Sequence, residues 1–459
     1  MIKSYKNSGR NFHFLIEDEL EGRQNTFTVI VGKNGSGKST LLGSLVRDLL
    51  GDQFSKNLVR DTELGFKGSK KGSIEFLNKP TEIISVSTSP FDKFPFVRHS
   101  MSVSGYSYLG LRDLHSSNFG LAYLSKIIAS LIQSVYENPA QAVGIGKVLN
   151  YLKYHDNISI QFDFSSTQRM LEELIDFYER KQDGDSNEDL LLRRRPFYRR
   201  LNMKYFCDEN DEIIDEKIEY LIHVAKKIIE LKLSRHSVLE ITPNGIVFED
   251  LNYSLQEDLM FLIQSGMFRL RDVGVRSLED SRSFSIKNAS SGEQSVILSI
   301  LGIASAIKDN SVICIDEPEI CLHPQWQERY IQLLISTFSS FKNCHFIIAT
   351  HSPQIISRLN SRNCFIMTME NGRVMNADDF IKHSADFQLA RLFDSPGFKN
   401  EYLSRIALNI FSKVSKKKTF DQEDLKNLDL LKYQSNFLDK NDPVYELIIS
   451  IDELFQVYG

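Results

Sequence analysis

The sequence predicts an α/β fold. A parallel sheet, covered by helices on both faces, is assembled from the two ends of the chain, with a helical segment inserted between them. Three observations carry this. Near the start, over 26–50, an apolar strand runs into a glycine-rich turn and out into an amphipathic helix. From 292 to 368 helix and strand alternate strictly, and the strands there are apolar throughout, the mark of strands buried on both faces in a parallel sheet. Between these regions, from about 118 to 235, apolar residues recur at helical spacing.

Taken in order, Thr26-Phe27-Thr28-Val29-Ile30-Val31 is rich in β-branched residues and predicts a buried strand. Leu41, Leu42, Leu45, Val46 and Leu49 fall on one face of a helix over about 38–50. Glu82-Ile83-Ile84-Ser85-Val86-Ser87 predicts a further strand. Leu121, Leu124, Ile128, Leu131, Ile132 and Val135 recur at helical spacing, and so do Met170, Leu171, Leu174 and Phe177; a third helix is expected near 212–232. The polar run 181–188 breaks this region and reads as a mobile loop. Strands and turns resume at about 237. The alternation then gives helix 292–308, strand 311–316, helix 324–339, strand 344–349, helix 353–359 and strand 363–368. Beyond 380 the chain reads as charged helix. Four parts are expected: an N-terminal lobe over 1–115, a helical insertion over 116–236, a C-terminal lobe over 237–380, and a helical tail over 381–459 making partner or oligomer contacts.

Composition narrows the class. The 459 residues are 42% hydrophobic and 25% charged, which excludes wholesale disorder, collagen and coiled-coil fibre. A chain this long buries about three quarters of its unfolded surface and needs no disulfide or metal to hold a core. The net charge of -5 argues against a generally basic nucleic-acid binder and leaves room for a local basic patch. The five cysteines include no C-x-x-C pair, and Cys314, Cys344 and Cys364 sit in apolar runs, as reduced buried thiols do. Met1-Ile2-Lys3-Ser4-Tyr5-Lys6 lacks the apolar core expected of a signal peptide, and no apolar stretch approaches the roughly 20 residues that cross a bilayer. A soluble, cytoplasmic protein with no membrane contact is expected.

The chemistry concentrates in four places. Gly32-Lys33-Asn34-Gly35-Ser36-Gly37-Lys38-Ser39-Thr40 matches the phosphate-binding pattern G-x-x-x-x-G-K-[ST], with a strand before it and a helix after it. The glycines let the backbone curl so that its N–H groups converge on one anion, and the helix N-terminus adds about half a positive charge. Lys38 would reach the β- and γ-phosphates of ATP, and the Ser39 hydroxyl would hold Mg²⁺. Val312-Ile313-Cys314-Ile315-Asp316-Glu317-Pro318 is an apolar strand whose carboxylates emerge at its C-terminal end, where open parallel sheets place ligands. Asp316 would orient Mg²⁺, and Glu317 would polarise the attacking water. Asn288-Ala289-Ser290-Ser291-Gly292-Glu293-Gln294 opens a helix and reads, by itself, as a serine cap with an acidic first turn. His351 follows the strand Cys344-His345-Phe346-Ile347-Ile348-Ala349.

In this order, the four elements resemble the ATP-binding cassette arrangement of Walker A loop, signature, Walker B strand and switch histidine. The continuation through Ile320-Cys321-Leu322-His323-Pro324, with Ala349-Thr350-His351-Ser352-Pro353, resembles the soluble RecF-like and OLD-like branch, over about 1–110 and 240–375. The resemblance implies a P-loop NTPase head that hydrolyses ATP. Ser291, Gly292, Glu293 and Gln294 would meet the γ-phosphate held by a second protomer, His351 would sense it, and Lys38 and Glu317 would join it in catalysis. Two ATP molecules would then be sandwiched in a two-fold dimer, with higher oligomers built on it.

Two features depart from the cassette pattern. Ser290 and Glu293 replace the leucine and glycine of transporters, and no glutamine loop follows the first strands; the segment Ser85 to Phe94 stands in its place. Arg10, Phe12 and His13 are the candidates for stacking on adenine. About 250 residues separate Lys38 from Ser291, too few and without the heptads for a long coiled-coil arm. About 80 residues follow position 380, and no paired-carboxylate strand marks a nuclease there, so no nuclease activity is expected of the chain itself. The Ser87 to Pro95 segment, the modest insertion and the short tail most resemble the PtuA family of Septu anti-phage ATPases, whose partner is an HNH-type nuclease (PtuB-like). A RecF-like DNA-repair clamp without a nuclease partner is the alternative. For DNA contact, Arg193, Arg194, Arg195, Arg199 and Arg200 with Phe197 and Tyr198 between them suit phosphate binding with base stacking, while acidic neighbours on both sides equally suit a salt-bridged surface.

Overall fold

The computed structural model describes residues 1–51, 71–96, 105–112, 119–182, 201, 203–206, 214–230, 236–248, 253–267, 270–320, 322–359, 362–381 and 383–459. Its strands are β1 (Ile2–Asn7), β2 (Arg10–His13), β3 (Thr26–Val31), β4 (Ser73–Phe76), β5 (Ile83–Ser87), β6 (Tyr106–Leu109), β7 (Tyr154–Asp163), β8 (His236–Thr242), β9 (Gly245–Phe248), β10 (Leu270–Ser277), β11 (Ser283–Ser285), β12 (Val312–Asp316), β13 (His345–Ala349), β14 (Cys364–Thr368) and β15 (Val374–Asn376). Its helices are α1 (Lys38–Leu50), α2 (Phe119–Glu137), α3 (Ala140–Tyr151), α4 (Phe164–Gln182), α5 (Met203–Phe206), α6 (Asp215–Glu230), α7 (Tyr253–Gln264), α8 (Ser291–Ala306), α9 (Pro324–Thr337), α10 (Pro353–Ser357), α11 (Ala385–Leu392), α12 (Glu401–Lys417), α13 (Gln422–Ser435) and α14 (Pro443–Tyr458).

The apolar strands expected from both ends of the chain meet in one sheet of order β15-β14-β3-β13-β12-β5-β6. Every pairing is parallel except that of edge strand β15. The four middle strands are buried along their whole length, which is why their sequences show no polar alternation. Their register aligns Asp316 with Ala349 and Ser87, and Ala349 with Ile30. Their carboxyl ends therefore lie level, and each of the loops that leave them starts from the same edge.

A three-stranded antiparallel sheet, β2-β1-β4, packs beside the first. His345 fastens the two. Its Nδ1 accepts from the Ile2 amide at 3.1 Å, and its Nε2 lies 2.9 Å from Thr28 Oγ1. The ring is fully buried, and burial pushes its pKa well below the ordinary histidine value.

The insertion differs from the expected helical segment. β7, ten residues long, is the central strand of a five-stranded antiparallel sheet, β11-β10-β7-β8-β9. Its partners β8 and β10 begin at His236 and Leu270, so this sheet crosses the expected boundary. The signal was present: Ile158, Ile160 and Phe162 point inward, and Ser159, Gln161 and Asp163 alternate with them. Two strongly helical runs flank it and mask the change of period. The insertion also shares the head's core. α2 lies against α8, with Ser130 Oγ and Ser305 Oγ 2.9 Å apart. One continuous apolar cluster runs from Val29 and Ile313 through Ile300 to Leu131, Ile145 and Leu171.

The tail has a core of its own, built from Leu403, Ala407, Ile410, Val414, Leu428, Leu431 and Ile448. Asn400, Asp421 and Asp442 cap α12, α13 and α14. Lys416 and Lys417 form the last turn of α12, and Lys418 closes it in the left-handed conformation at φ 58. Cations there favour the negative end of the helix dipole. Cys314, Cys344 and Cys364 are free and buried; Cys207 and Cys321 lie outside the described residues, as does most of the polar run 181–188. No helix among the described residues is long and apolar enough to cross a membrane.

Candidate nucleotide site

The loop from Gly32 to Gly37 joins β3 to α1. Gly37 adopts φ 93 and is the residue immediately before α1, so the helix starts without a side-chain cap. A left-handed turn there suits glycine, and the uncapped N–H groups of the first turn face the loop. Ser36 Oγ is buried with no partner among the described residues, a hydroxyl donor left available to an anion.

Lys38 is only 4% exposed. Its ammonium donates to Gly32 O at 2.8 Å and Lys33 O at 3.1 Å, and lies 3.1 Å from His351 Nδ1. Since an ammonium only donates, Nδ1 is the acceptor, which places the ring proton on Nε2. Nε2 faces Glu317 Oε1 at 3.0 Å. Lysine, neutral histidine and glutamate thus form one hydrogen-bonded line. Burial, and then the Lys38 charge, push the His351 pKa below its usual value. Burial likewise lowers that of Lys38, opposed by the surrounding carboxylates.

Ser39 Oγ donates to Asp316 Oδ1 at 3.0 Å. Asp316 is buried at the end of β12, and its pKa is pushed up to about 7, chiefly by desolvation and further by the neighbouring charge of Glu317. Glu317 itself sits at φ 49, a conformation few non-glycine residues adopt and one that gathers at functional sites. The backbone turns there, and the carboxylate of Glu317 faces His351 across the sheet edge.

A third carboxylate escaped the sequence reading. Glu319 lies half-buried two residues past Glu317: one oxygen accepts from the His351 amide, and the other, Oε2, is shielded from solvent with no partner among the described residues. Burial raises its pKa. The signal was a second acid two residues past the first, in a segment that turns back under the site. Glu319 positions the loop carrying His351.

The segment standing in for a glutamine loop leaves the end of β5. Asp92 anchors it, bonded by Arg112 at 2.9 Å, Tyr108 Oη at 2.6 Å and the Phe94 amide at 3.0 Å. α1 admits this segment at Gly43, where a Cβ would stand 2.2 Å from Lys93 O. Thr88 lines the same narrow crevice as Asp316, and its buried hydroxyl has no partner among the described residues.

The signature segment forms a capping box. Ser290 Oγ accepts from the Glu293 amide at 3.3 Å, and Glu293 Oε2 accepts from the Ser290 amide at 3.0 Å. Gln294 Nε2 donates to Lys287 O and Ala289 O. The side chains of Glu293 and Gln294, expected to bind nucleotide, are hydrogen-bonded within their own loop. Ser291 is exposed at the helix tip and Gly292 buried beside it. Within one chain the signature residues make no hydrogen bond to the phosphate loop.

Of the adenine candidates, Phe12 is buried and has no face to offer. Arg10 lies over the Phe12 ring at 4.9 Å and donates to Met369 O and Glu370 O. Asn34, Gly35 and Thr40 are exposed parts of the loop and its helix. Arg193, Arg194, Arg195, Arg199 and Arg200 lie outside the described residues.

Amides, an ammonium, a hydroxyl and a carboxylate oxygen at one sheet edge suit a triphosphate with a hard divalent cation. Among the described residues no group of three or more His, Cys, Asp or Glu is placed to hold a metal, so Mg²⁺ at Ser39 and Asp316 would need oxygens of the nucleotide and water.

The strand order, the loop and the carboxylate-bearing strand beside it define a P-loop nucleoside-triphosphate fold of the cassette type. The chain belongs to the AAA ATPase domain family, whose pattern it matches over residues 10–356. It is 25% identical to the Retron Ec83 probable ATPase of Escherichia coli over 445 residues, 86% of this chain and 75% of that one. It is 23% identical to the Retron Vc95 probable ATPase of Vibrio cholerae serotype O1 biovar El Tor, over 74% of this chain and 68% of that one. It is also 23% identical to Endonuclease GajA of Bacillus cereus (strain HuB5-5), over 74% of this chain and 54% of that one. A solved SmcHead bound to the C-winged helix domain of ScpA aligns with 82% of this chain at 12% identity and a TM-score of 0.30.

Proposed function

We propose that this chain hydrolyses ATP in a two-fold head dimer, and that ATP-driven closure scaffolds and regulates a partner HNH-type nuclease in anti-phage defence, in the manner of the PtuA subunits. The observation that carries the enzymatic part is the line from Lys38 through His351 to Glu317. A γ-phosphate oxygen entering the loop would accept a hydrogen bond from the Lys38 ammonium in place of one of its protein acceptors. Glu317 would then accept a proton from the attacking water, held at the right angle by Nε2–H of His351. Ser39 and Asp316 would hold Mg²⁺, which neutralises charge on the β- and γ-phosphates when bound.

Ser291 is exposed at the tip of α8, which suits donation to a neighbour's phosphate across a two-fold interface. The retron ATPases and GajA among the relatives support the defence role. The arginines at 193–195, 199 and 200 would supply the DNA contact.

Lys38→Ala is expected to abolish ATP binding, measured by titration with a fluorescent nucleotide. Glu317→Gln should retain affinity, lose about 10²- to 10⁴-fold in turnover and accumulate an ATP-dependent dimer on light scattering. Unchanged affinity in Lys38→Ala would overturn the site. For the partner, the chain should co-purify with a nuclease encoded beside it; DNA binding with no such partner would favour the RecF-like clamp instead.

A further inference from the structure

The C-terminal tail reaches back onto the phosphate loop through one side chain. The Lys33 ammonium lies 3.8 Å from the centroid of the Phe437 ring and 3.7 Å from Asp394 Oδ2. Asp394 follows α11 and sits in the left-handed region at φ 46. It also holds the end of α13, accepting from Tyr433 Oη at 2.9 Å and from Gln434 Nε2 at 3.3 Å. Tyr433 and Phe437 pack edge to face at 5.3 Å. From the head side, Glu370 Oε1 accepts from the Lys33 amide at 3.4 Å. Lys33 occupies an unspecified position of the phosphate-binding pattern, so anion binding alone does not require a lysine there.

We propose that Lys33, Asp394 and Phe437 form a latch that docks the helical tail on the phosphate loop and is released when a nucleoside triphosphate occupies that loop. The inference rests on the ATP site proposed above and adds the part of the molecule that reads its occupancy. The electrostatics set the direction. A triphosphate brings several negative charges beside Lys33, competes for its ammonium and repels the carboxylates of Asp394 and Glu370. Loss of the cation from the Phe437 ring removes the other half of the contact. A partly exposed ion pair and one cation–π contact are each weak, so the latch biases tail docking about 3- to 10-fold and opens readily.

Hydrogen exchange of the full chain, with and without a non-hydrolysable ATP analogue and Mg²⁺, tests this. The analogue should speed exchange at 430–438 by about 3- to 10-fold. Asp394→Asn and Phe437→Ala should speed it by a similar factor without nucleotide, and the analogue should then add little. Calorimetric binding of the same analogue is measured in parallel. Binding with no change at 430–438 overturns the latch and leaves the ATP site standing; absence of binding overturns the ATP site itself. If Phe437→Ala loosens the whole tail, Asp394→Asn decides alone, and an exchange pattern like that of the parent chain in both conditions overturns the latch.

Discussion

Lys38 has three ammonium protons and three protein acceptors, two carbonyls and one imidazole nitrogen. Arginine keeps the charge but presents it as a planar fork, so it cannot reproduce three converging bonds in a buried site. Lys38→Arg is expected to lose at least about 10-fold in nucleotide affinity, about 1.4 kcal/mol, on the same fluorescent titration. His345 gives a prediction of a different kind. Its folded pKa lies well below its unfolded one near 6.5, so the folded state favours the neutral ring. The stability this confers is complete above pH 6.5 and is lost as pH falls from there toward the folded pKa, at a limiting slope of about 1.4 kcal/mol per pH unit. The urea midpoint should therefore fall between pH 7 and pH 5, and His345→Gln should be less stable at pH 7 with a flatter acid limb. At this scale the sequence was informative where chemistry is local. Gly32 to Thr40, Asp316 and Glu317 could be read from spacing alone. Glu319, Glu370, Asp394 and Phe437 could not, because each acquires its role from a segment distant in the chain.

The adjacent serines at the start of α8 are expected to respond differently to substitution. Ser290 closes the capping box, and its replacement by alanine should cost about 1 kcal/mol of stability in a denaturant titration. Ser291 makes no side-chain hydrogen bond within the described chain, so Ser291→Ala should leave the unfolding midpoint in place and remove the ATP-dependent dimer. A dimer that survives in Ser291→Ala would refute the signature assignment. α1 offers a further test. Gly43→Ala would press a methyl into Lys93 O, forcing the Thr88 to Phe94 segment outward. Overpacking of this kind costs about 1–3 kcal/mol, and nucleotide affinity should fall with it because Thr88 borders the Asp316 crevice. The helices were legible because their apolar spacing is sustained over many residues, and the parallel strands because they are apolar throughout. β7 was not: its alternation lies between helical runs and draws its partners from segments about 75 and 110 residues away.

The shared core makes the insertion part of the head. α2 covers the apolar face of α8, and β7 completes a sheet with strands from the C-terminal lobe. A chain lacking 119–230 is expected to expose that face and aggregate, as gel filtration would show, whereas removal of a separable domain would leave a monodisperse head. The tail is organised differently. Leu392 and Phe393 seat the start of the tail in the main core, while from Leu403 to Ile451 its apolar residues form a second cluster that shares no member with the main one, so α12 to α14 can tilt about that root without opening either interior. α12 alone is 17 residues long, about 25 Å at 1.5 Å per residue. An ångström-scale shift at Lys33 could therefore appear, at the far tip of such an arm, as a displacement several times larger.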